Sequence, residues 1–316
     1  MQYARYVFSC IFEDDAVLPP YKGSTLRGVF GHALKKVVCA LKKQDCADCL
    51  LAARCIYPAI FEIIPNPNLT DSRKRIVNPP HPYVIEPSED SKTTFHRGDM
   101  LNFGILLFGK ANEYLPYFIY AFDQMGQMGI GKRMDGNHAS FFLQHVTVNE
   151  VLIYSKTDGK ILPQSSLPDI SMKSQPPQND EDLSIEITLS TPLRLKYQNN
   201  LNAELPFHVL TRAMLRRASS LLEYYDGGEP ALDYRGMVSR AEDVLVTQST
   251  IAWFDWRRYS NRQEQAMLMG GMIGSITYCG KLSEYLPLIK FCEQVHVGKQ
   301  TTFGLGKITT RLVSHA

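Results

Sequence analysis

The chain has 316 residues, room for two domains at roughly 150 residues each, and its 34 lysines and arginines against 32 acids leave a formal charge of +2. So small an excess excludes nucleic-acid binding by bulk charge and confines any such site to a local basic surface. With 44% hydrophobic and 21% charged residues, the composition is that of a globular protein with a full core rather than a disordered chain.

No run of about 18 apolar residues occurs, so no membrane-spanning helix is expected. The opening MQYARYVFSCIFEDD has no positive region followed by an apolar stretch and a cleavage site. A reducing cytoplasm is therefore the expected setting, and there seven cysteines are not a disulfide framework.

In chain order, residues 2–13 alternate and are rich in aromatic and β-branched types, which predicts a strand. Pro19, Pro20 and Gly23 make a loop. From Ser24 to about Lys43 the apolar residues Leu26, Val29, Phe30, Ala33, Leu34, Val37, Val38 and Leu41 recur at helical spacing and mark one buried face. His32, Lys35, Lys36 and Lys43 fall on the other face, with Gly28 and Gly31. Each glycine costs about 1 kcal/mol against alanine inside a helix, so close approach of something to this face is expected.

IYPAIFEII (56–64) reads as a short strand, and residues 65–98, with five prolines between Pro65 and Pro82, as a long irregular segment. Residues 100–109 form a buried strand and 111–128 an aromatic-rich helix. The glycine-rich turn GQMGIGKRMDGN leads into a strand through FFLQHVTVNEVLIY. Residues 157–182 cannot bury a core and read as a linker or flexible hairpin, dividing the chain into parts 1–156 and 183–316. The second part opens on the strand 183–190, continues with a helix over 206–225 and long strands near 244–259 and 264–279, then a helix, KLSEYLPLIKFCEQ. It ends in VHVGKQTTFGLGKITTRLV. Each part runs β-α-β-β-α-β. The expected fold class is α+β: two tandem ferredoxin-like, RRM-like domains, with a small cysteine knuckle after the first helix. The sheet of such a domain is the surface that RNA-recognition modules use.

Cys39, Cys46, Cys49 and Cys55 lie within 17 residues in the pattern C-x6-C-x2-C-x5-C. A thiolate quartet suits a structural tetrahedral zinc, with an iron–sulfur cluster as the alternative group. Four cysteines close the coordination sphere, so such a zinc is not catalytic and would pin the end of the first helix to the strand that follows. It also leaves no reaction site for a small-molecule enzyme built on this cluster. Cys10, Cys279 and Cys292 sit in apolar or helical contexts and are expected to be small buried hydrophobes.

The segment GKQTTFGLG carries Gly298, Gly304 and Gly306 with Lys299, Thr301 and Thr302 between them. Closely spaced glycines let backbone N–H groups approach phosphates, although a tight turn into the last strand explains them equally well. No Walker loop, G-x-S-x-G, H-E-x-x-H or D-x-D-x-D-G motif occurs. Lys132 and Arg133 sit in a second glycine-rich turn. Arg257, Arg258 and Arg262 interleave with the aromatics of Trp253–Tyr259, a pattern that lets aromatics stack on bases and arginines bind phosphate. Cleaving RNA without a metal needs a base for the 2′-hydroxyl proton and a cation for the crowded phosphate. His32, with Lys35 and Lys36 close by, meets both needs. His296 is the second choice, and His81, in NPPHPY, serves a turn.

These pieces, PYKGSTLRGVFGHAL, the cysteine cluster running into CIYPAIFE, NPPHPYVIEP, LFGKANEYLPYFIYAFDQMGQMGIGKR, TPLRLK, DWRRYSNRQ and HVGKQTTFGLGKI, resemble the CRISPR-associated repeat-RNA endoribonucleases of the Cas-six family, in the RAMP superfamily. The likeness covers most of the chain outside 157–182. It implies two tandem ferredoxin-like domains and metal-independent cutting of precursor CRISPR RNA within each repeat. The implied products are a 2′,3′-cyclic phosphate or 3′-phosphate and a 5′-hydroxyl. It implies a catalytic histidine in or just after the first helix, which matches His32, with Tyr21 and Lys36 as helpers. The family's glycine signature, G-h-G-x5-G-h-G, is met from Gly298 onward, with His296 in the place of the first glycine. Expected RNA-binding residues are Arg27, Lys132, Arg133, Arg257, Arg258, His296, Gly298, Lys299, Thr301, Gly304 and Gly306. The implied partners are repeat RNA and other CRISPR effector subunits, with no membrane. A non-catalytic RAMP subunit that binds guide RNA in an effector complex is the alternative.

Overall fold

Tyr6, Phe8, Cys10 and Phe12 alternate along β1 (Tyr3–Phe12) and are all buried, so one face of this strand is committed to a core. The structure is a computed structural model that describes all residues except 43, 64–78, 163–166, 173–180, 196–202, 261–264 and 314–316; the side chains of 256–269 are also outside the description. The chain divides into two compact units, Met1–Asp169 with Tyr224–Asp226, and Ile170–Glu223 with Gly227–Ala316.

In the first unit β1 is followed by β2 (Ala16–Val17), α1 (Gly23–Val38), β3 (Tyr83–Pro87), β4 (Thr94–Phe95), β5 (Met100–Phe108), α2 (Leu115–Met128), β6 (Ile130–Met134), β7 (Asn137–Ala139), β8 (Phe141–Val148), β9 (Val151–Ser155) and β10 (Lys160–Ile161). The main sheet has the order β10-β9-β8-β1-β5-β3, and the pairings of β1, β5, β8, β3 and β9 are antiparallel. Its inner four strands, β8-β1-β5-β3, with α1 after β1 and α2 after β5, make the ferredoxin-like unit that the sequence predicts. Aromatic side chains fill the space beside α1 and α2: the Phe30 ring lies 4.7 Å from Phe122 and 5.1 Å from Phe118, and Phe8 lies 4.9 Å from Phe122.

The second unit runs β11 (Leu183–Leu193), α3 (Phe207–Tyr225), α4 (Tyr234–Arg240), β12 (Leu245–Ser249), β13 (Ala252–Ser260), β14 (Gln265–Gly280), α5 (Leu286–Val295) and β15 (Ile308–Val313). Its sheet has the order β12-β14-β11-β15, with β13 also paired to β14. The connectivity repeats the first unit. Ile185, Ile187 and Leu189 of β11 are buried on one face, while Thr188 on the other contacts Ser275 at 3.0 Å.

Several expectations change. The first helix stops at Val38, where Cys39 turns to extended backbone, and Lys43 lies outside the described residues. Pro58–Glu62 is a π-helical turn, not a strand; a short apolar run fits either, and proline in the first turn favours the helical one. The segment taken as irregular contains β3, whose five residues are all buried. The strand taken to span 141–154 is the hairpin β8–β9, turning at Asn149 and Glu150, both with positive φ as a tight hairpin requires. The expected linker is partly structured: β10 pairs with β9, the Tyr3 N–H donates to the Pro168 carbonyl, and Asp169 bridges Gln2. Among the described residues, no helix is long and apolar enough to cross a membrane.

Candidate active site and nucleic-acid interface

The site begins with the exposed side of α1. His32 and Lys36, one turn apart, are both exposed, and the helix GSTLRGVFGHALKKVV contains no carboxylate. Lys35 and Lys36 occupy its last turn, where cations also offset the helix dipole. Gly28 opens onto empty space, so a ligand can approach His32 from that side. Gly31 does not serve this purpose. A Cβ there would lie 2.1 Å from the Phe61 ring, and Phe61 of the π-helical turn fills the notch. The close approach expected on this face is therefore, at Gly31, made by the protein's own side chain.

Arg27, expected to touch RNA, is held on the inner side: its guanidinium stacks 4.0 Å over the Phe61 ring. Burial pushes the Tyr21 phenol far up, so it stays protonated. Lys22, at the helix start, is buried and donates to the Asp90 carbonyl and carboxylate at 2.9 and 3.0 Å, anchoring the N-terminal end of α1.

β6 packs against α1 and β2, and with β7 forms an exposed hairpin carrying Lys132 and Arg133. Arg133 Nε donates to His138 Nε2 at 3.2 Å, and His138 Nδ1 lies 2.7 Å from the Gly131 carbonyl, which orients the guanidinium. Phosphate contacts from exposed cations like these are largely independent of sequence and sensitive to salt. Replacing Lys132 by alanine is expected to weaken repeat-RNA binding and lower the slope of log affinity against log salt by about one. Unchanged affinity and slope in a salt titration would place Lys132 off the interface.

In the second unit, the glycine loop differs from the expectation. His296 is only 1% exposed, and its Nδ1 lies 3.1 Å from the Leu305 carbonyl, so it is an interior residue and not an RNA contact. Thr301, Gly304 and Gly306 are buried as well. The backbone N–H groups of Lys299, Phe303, Gly304 and Gly306 donate to Arg194, Gln300, Thr301 and Pro192 carbonyls, and that of Lys307 to Thr191 Oγ1. Those donors are already used within the protein. Of the loop residues expected to bind RNA, Lys299 is exposed and Gly298 partly so. Arg257 and Arg258 lie on β13 opposite Leu268 and Met267; their side chains, and all of Arg262, are outside the described residues.

Two arginines that the sequence did not single out support this loop region. Arg217 is buried in α3 and donates to the Val295 and His296 carbonyls, neutralising the C-terminal end of α5. Arg194, in TPLRLK, donates to the Gly270 carbonyl at 3.1 Å. The four clustered cysteines are free thiols, and among the described residues no three or more His, Cys, Asp or Glu side chains are gathered closely enough to hold a metal ion.

Residues 1–166 match the AF_1859_N family, described as an N-terminal domain, and residues 187–308 match the family of the CRISPR-associated endoribonuclease Cas6. Residues 187–308 are a Cas6-family domain. That domain supports a general role in CRISPR RNA processing. An uncharacterized protein of Archaeoglobus fulgidus is 27% identical over 295 residues, covering 92% of this chain and 91% of that one.

Solved structures share the fold at low identity. A chain of a partial Cas6-RT-Cas1–Cas2 complex has a TM-score of 0.59 at 13% identity; it covers all of this chain, which spans only 47% of the longer one. A Cas6 product complex has a TM-score of 0.55 at 13% identity, over 98% of this chain and 100% of that one. Thermus thermophilus Cas6 has a TM-score of 0.54 at 13% identity, over 98% of each chain. These likenesses agree with the two ferredoxin-like topologies traced above.

Proposed function

We propose that this protein is a metal-independent endoribonuclease that cuts precursor CRISPR RNA within its repeats. The observation that carries the reading is the outer side of α1, where His32 and Lys36 are exposed together on a helix free of carboxylates. Histidine titrates near neutral pH and is the usual general base there. His32 takes the proton of the 2′-hydroxyl before the cut. The 2′-oxygen attacks the adjacent phosphorus and the bond to the 5′-oxygen breaks. The products are a 2′,3′-cyclic phosphate and a 5′-oxygen that gains a proton from water. Lys36 offsets the negative charge of the phosphorane. Tyr21 acts as a neutral hydrogen-bond donor that orients the RNA, since its raised pKa makes it a poor proton source.

The substrate is repeat RNA, held by Lys132, Arg133 and Lys299 through phosphates, with Arg257 and Arg258 as further cations. Other CRISPR effector subunits are the proposed protein partners. The test is to incubate the full chain with precursor RNA in excess chelator and map the ends. One cut per repeat, with a 5′-hydroxyl and a 2′,3′-cyclic phosphate, is expected. Tightly bound but uncut RNA would favour a non-catalytic RAMP subunit, and cutting only on addition of a divalent metal would overturn metal independence.

A further inference from the structure

Leu143 and Val146 of β8 are buried in the core of the first unit, and α2 packs against this strand, so alternation sends Phe142 and Thr147 to the other face of the sheet. Over β8 and β9 that face is open: Phe142, His145 and Thr147 are half-buried and Gln144 is exposed. Two bulges shape it. Leu143 and His145 pair with consecutive residues of β1, Cys10 and Ser9, which leaves Gln144 as an extra residue; on β9, Ile153 is extra between Leu152 and Tyr154. Bulges re-aim side chains. Here the sequence neighbours Gln144 and His145 line one depression, together with Phe142, Thr147, Leu152 and Lys156. Its volume is about 490 Å³, within the range of small-ligand sites. The Lys156 N–H donates to the Gln144 carbonyl at 2.9 Å, and the Lys156 ammonium lies 4.1 Å over the Phe142 ring. Lys160, opposite Ser155, adds a second exposed cation, and Asp158 is the one acid between residues 151 and 161.

We propose that this depression is a subsite for one nucleotide of single-stranded RNA, with its base on the Phe142 ring and its phosphate on Lys156. The inference rests on the reading of the substrate as RNA. A half-buried aromatic ring stacks a base whatever its identity, and Leu152 offers a second apolar wall. The Gln144 amide and the His145 imidazole supply donors and acceptors for the base edge. The base takes the place of the ammonium over Phe142, and Lys156 turns to the phosphate, exchanging a cation–π contact for a charge-assisted one. A depression in a sheet face admits a splayed-out base and not a duplex, whose bases are paired and stacked. The sheet and the helix layer stand between this pocket and the outer side of α1, so the subsite grips RNA away from His32 and takes no part in the chemistry.

The test uses the full chain and precursor repeat RNA carrying 4-thiouridine in place of uridine. After irradiation, crosslinked peptides are mapped by mass spectrometry, and crosslinks within residues 142–157 are expected. In parallel, affinity for the unmodified RNA is measured across a salt series. Phe142→Leu keeps the apolar bulk and removes the ring, and should weaken binding about tenfold. Lys156→Ala, at an exposed position, should keep the wild-type Tm and lower the slope of log affinity against log salt by about one. If Phe142→Leu does not fold, the crosslinks and Lys156→Ala decide. Crosslinks confined to other segments, with affinity and salt slope unmoved in the variants, would overturn the subsite. Both readouts measure binding and use no cleavage, so a protein that binds RNA without cutting it fails the proposed function while still passing this test.

Discussion

Replacing His32 by alanine is expected to slow repeat-RNA cleavage by at least about a hundredfold, the lower end of what a positioned general base supplies. Affinity for the repeat should barely change, because the loss falls on the transition state and not on phosphate contacts. The fold should not suffer, since His32 is exposed and alanine is the better helix former. A drop in cleavage at wild-type Tm is therefore the expected signature. The comparison variant is His296→Ala. His296 is buried and hydrogen-bonded within its own loop, so its loss should lower Tm while the folded fraction still cuts. Full activity without His32, together with loss of chemistry without His296, would move the base to the glycine loop.

Gly306→Ala is expected to be the most damaging single change in the second unit. Gly306 has φ +76°, and an added Cβ would lie 1.7 Å from the Val297 carbonyl oxygen, which is backbone and cannot rotate away. Relief requires a backbone shift that breaks the bonds between Val297 N–H and the Gly306 carbonyl and between Gly306 N–H and the Pro192 carbonyl. Positive φ alone costs a β-carbon residue about 1–3 kcal/mol. With the displaced hydrogen bonds the total is about 3 kcal/mol or more. A thermal melt should show a fall of roughly 6–12 °C for a unit of this size. An unchanged Tm would mean that the glycine is there for a ligand and not for packing.

Much of the fold was legible because its elements are strongly periodic. β1 and α1 show their buried faces as alternation and as a helical stripe, and the order of elements was enough to recover both ferredoxin-like units. β3 was hidden because it is buried on both faces, does not alternate, and follows a proline-rich stretch. The site was legible where it depends on one element: His32 and Lys36 share the outer side of α1. It was not legible where a distant segment intervenes. The helical wheel placed Gly31 on the open face, but Phe61, thirty residues on, covers it and also claims Arg27. For His296 and Thr301, polarity beside glycines pointed to a ligand, whereas the loop folds inward and its N–H groups bond to neighbouring carbonyls.

The central claim is that the attacking group is the substrate's own 2′-hydroxyl, activated without a metal. The most direct measurement compares, in excess chelator, cutting of an all-ribose repeat RNA with cutting of the same RNA carrying a single 2′-deoxy nucleotide before the cut site. The account predicts one cut in the first RNA and none in the second, with both bound equally well. Cutting of the deoxy-substituted RNA at the same bond, or failure to cut the all-ribose RNA while binding it tightly, would contradict it.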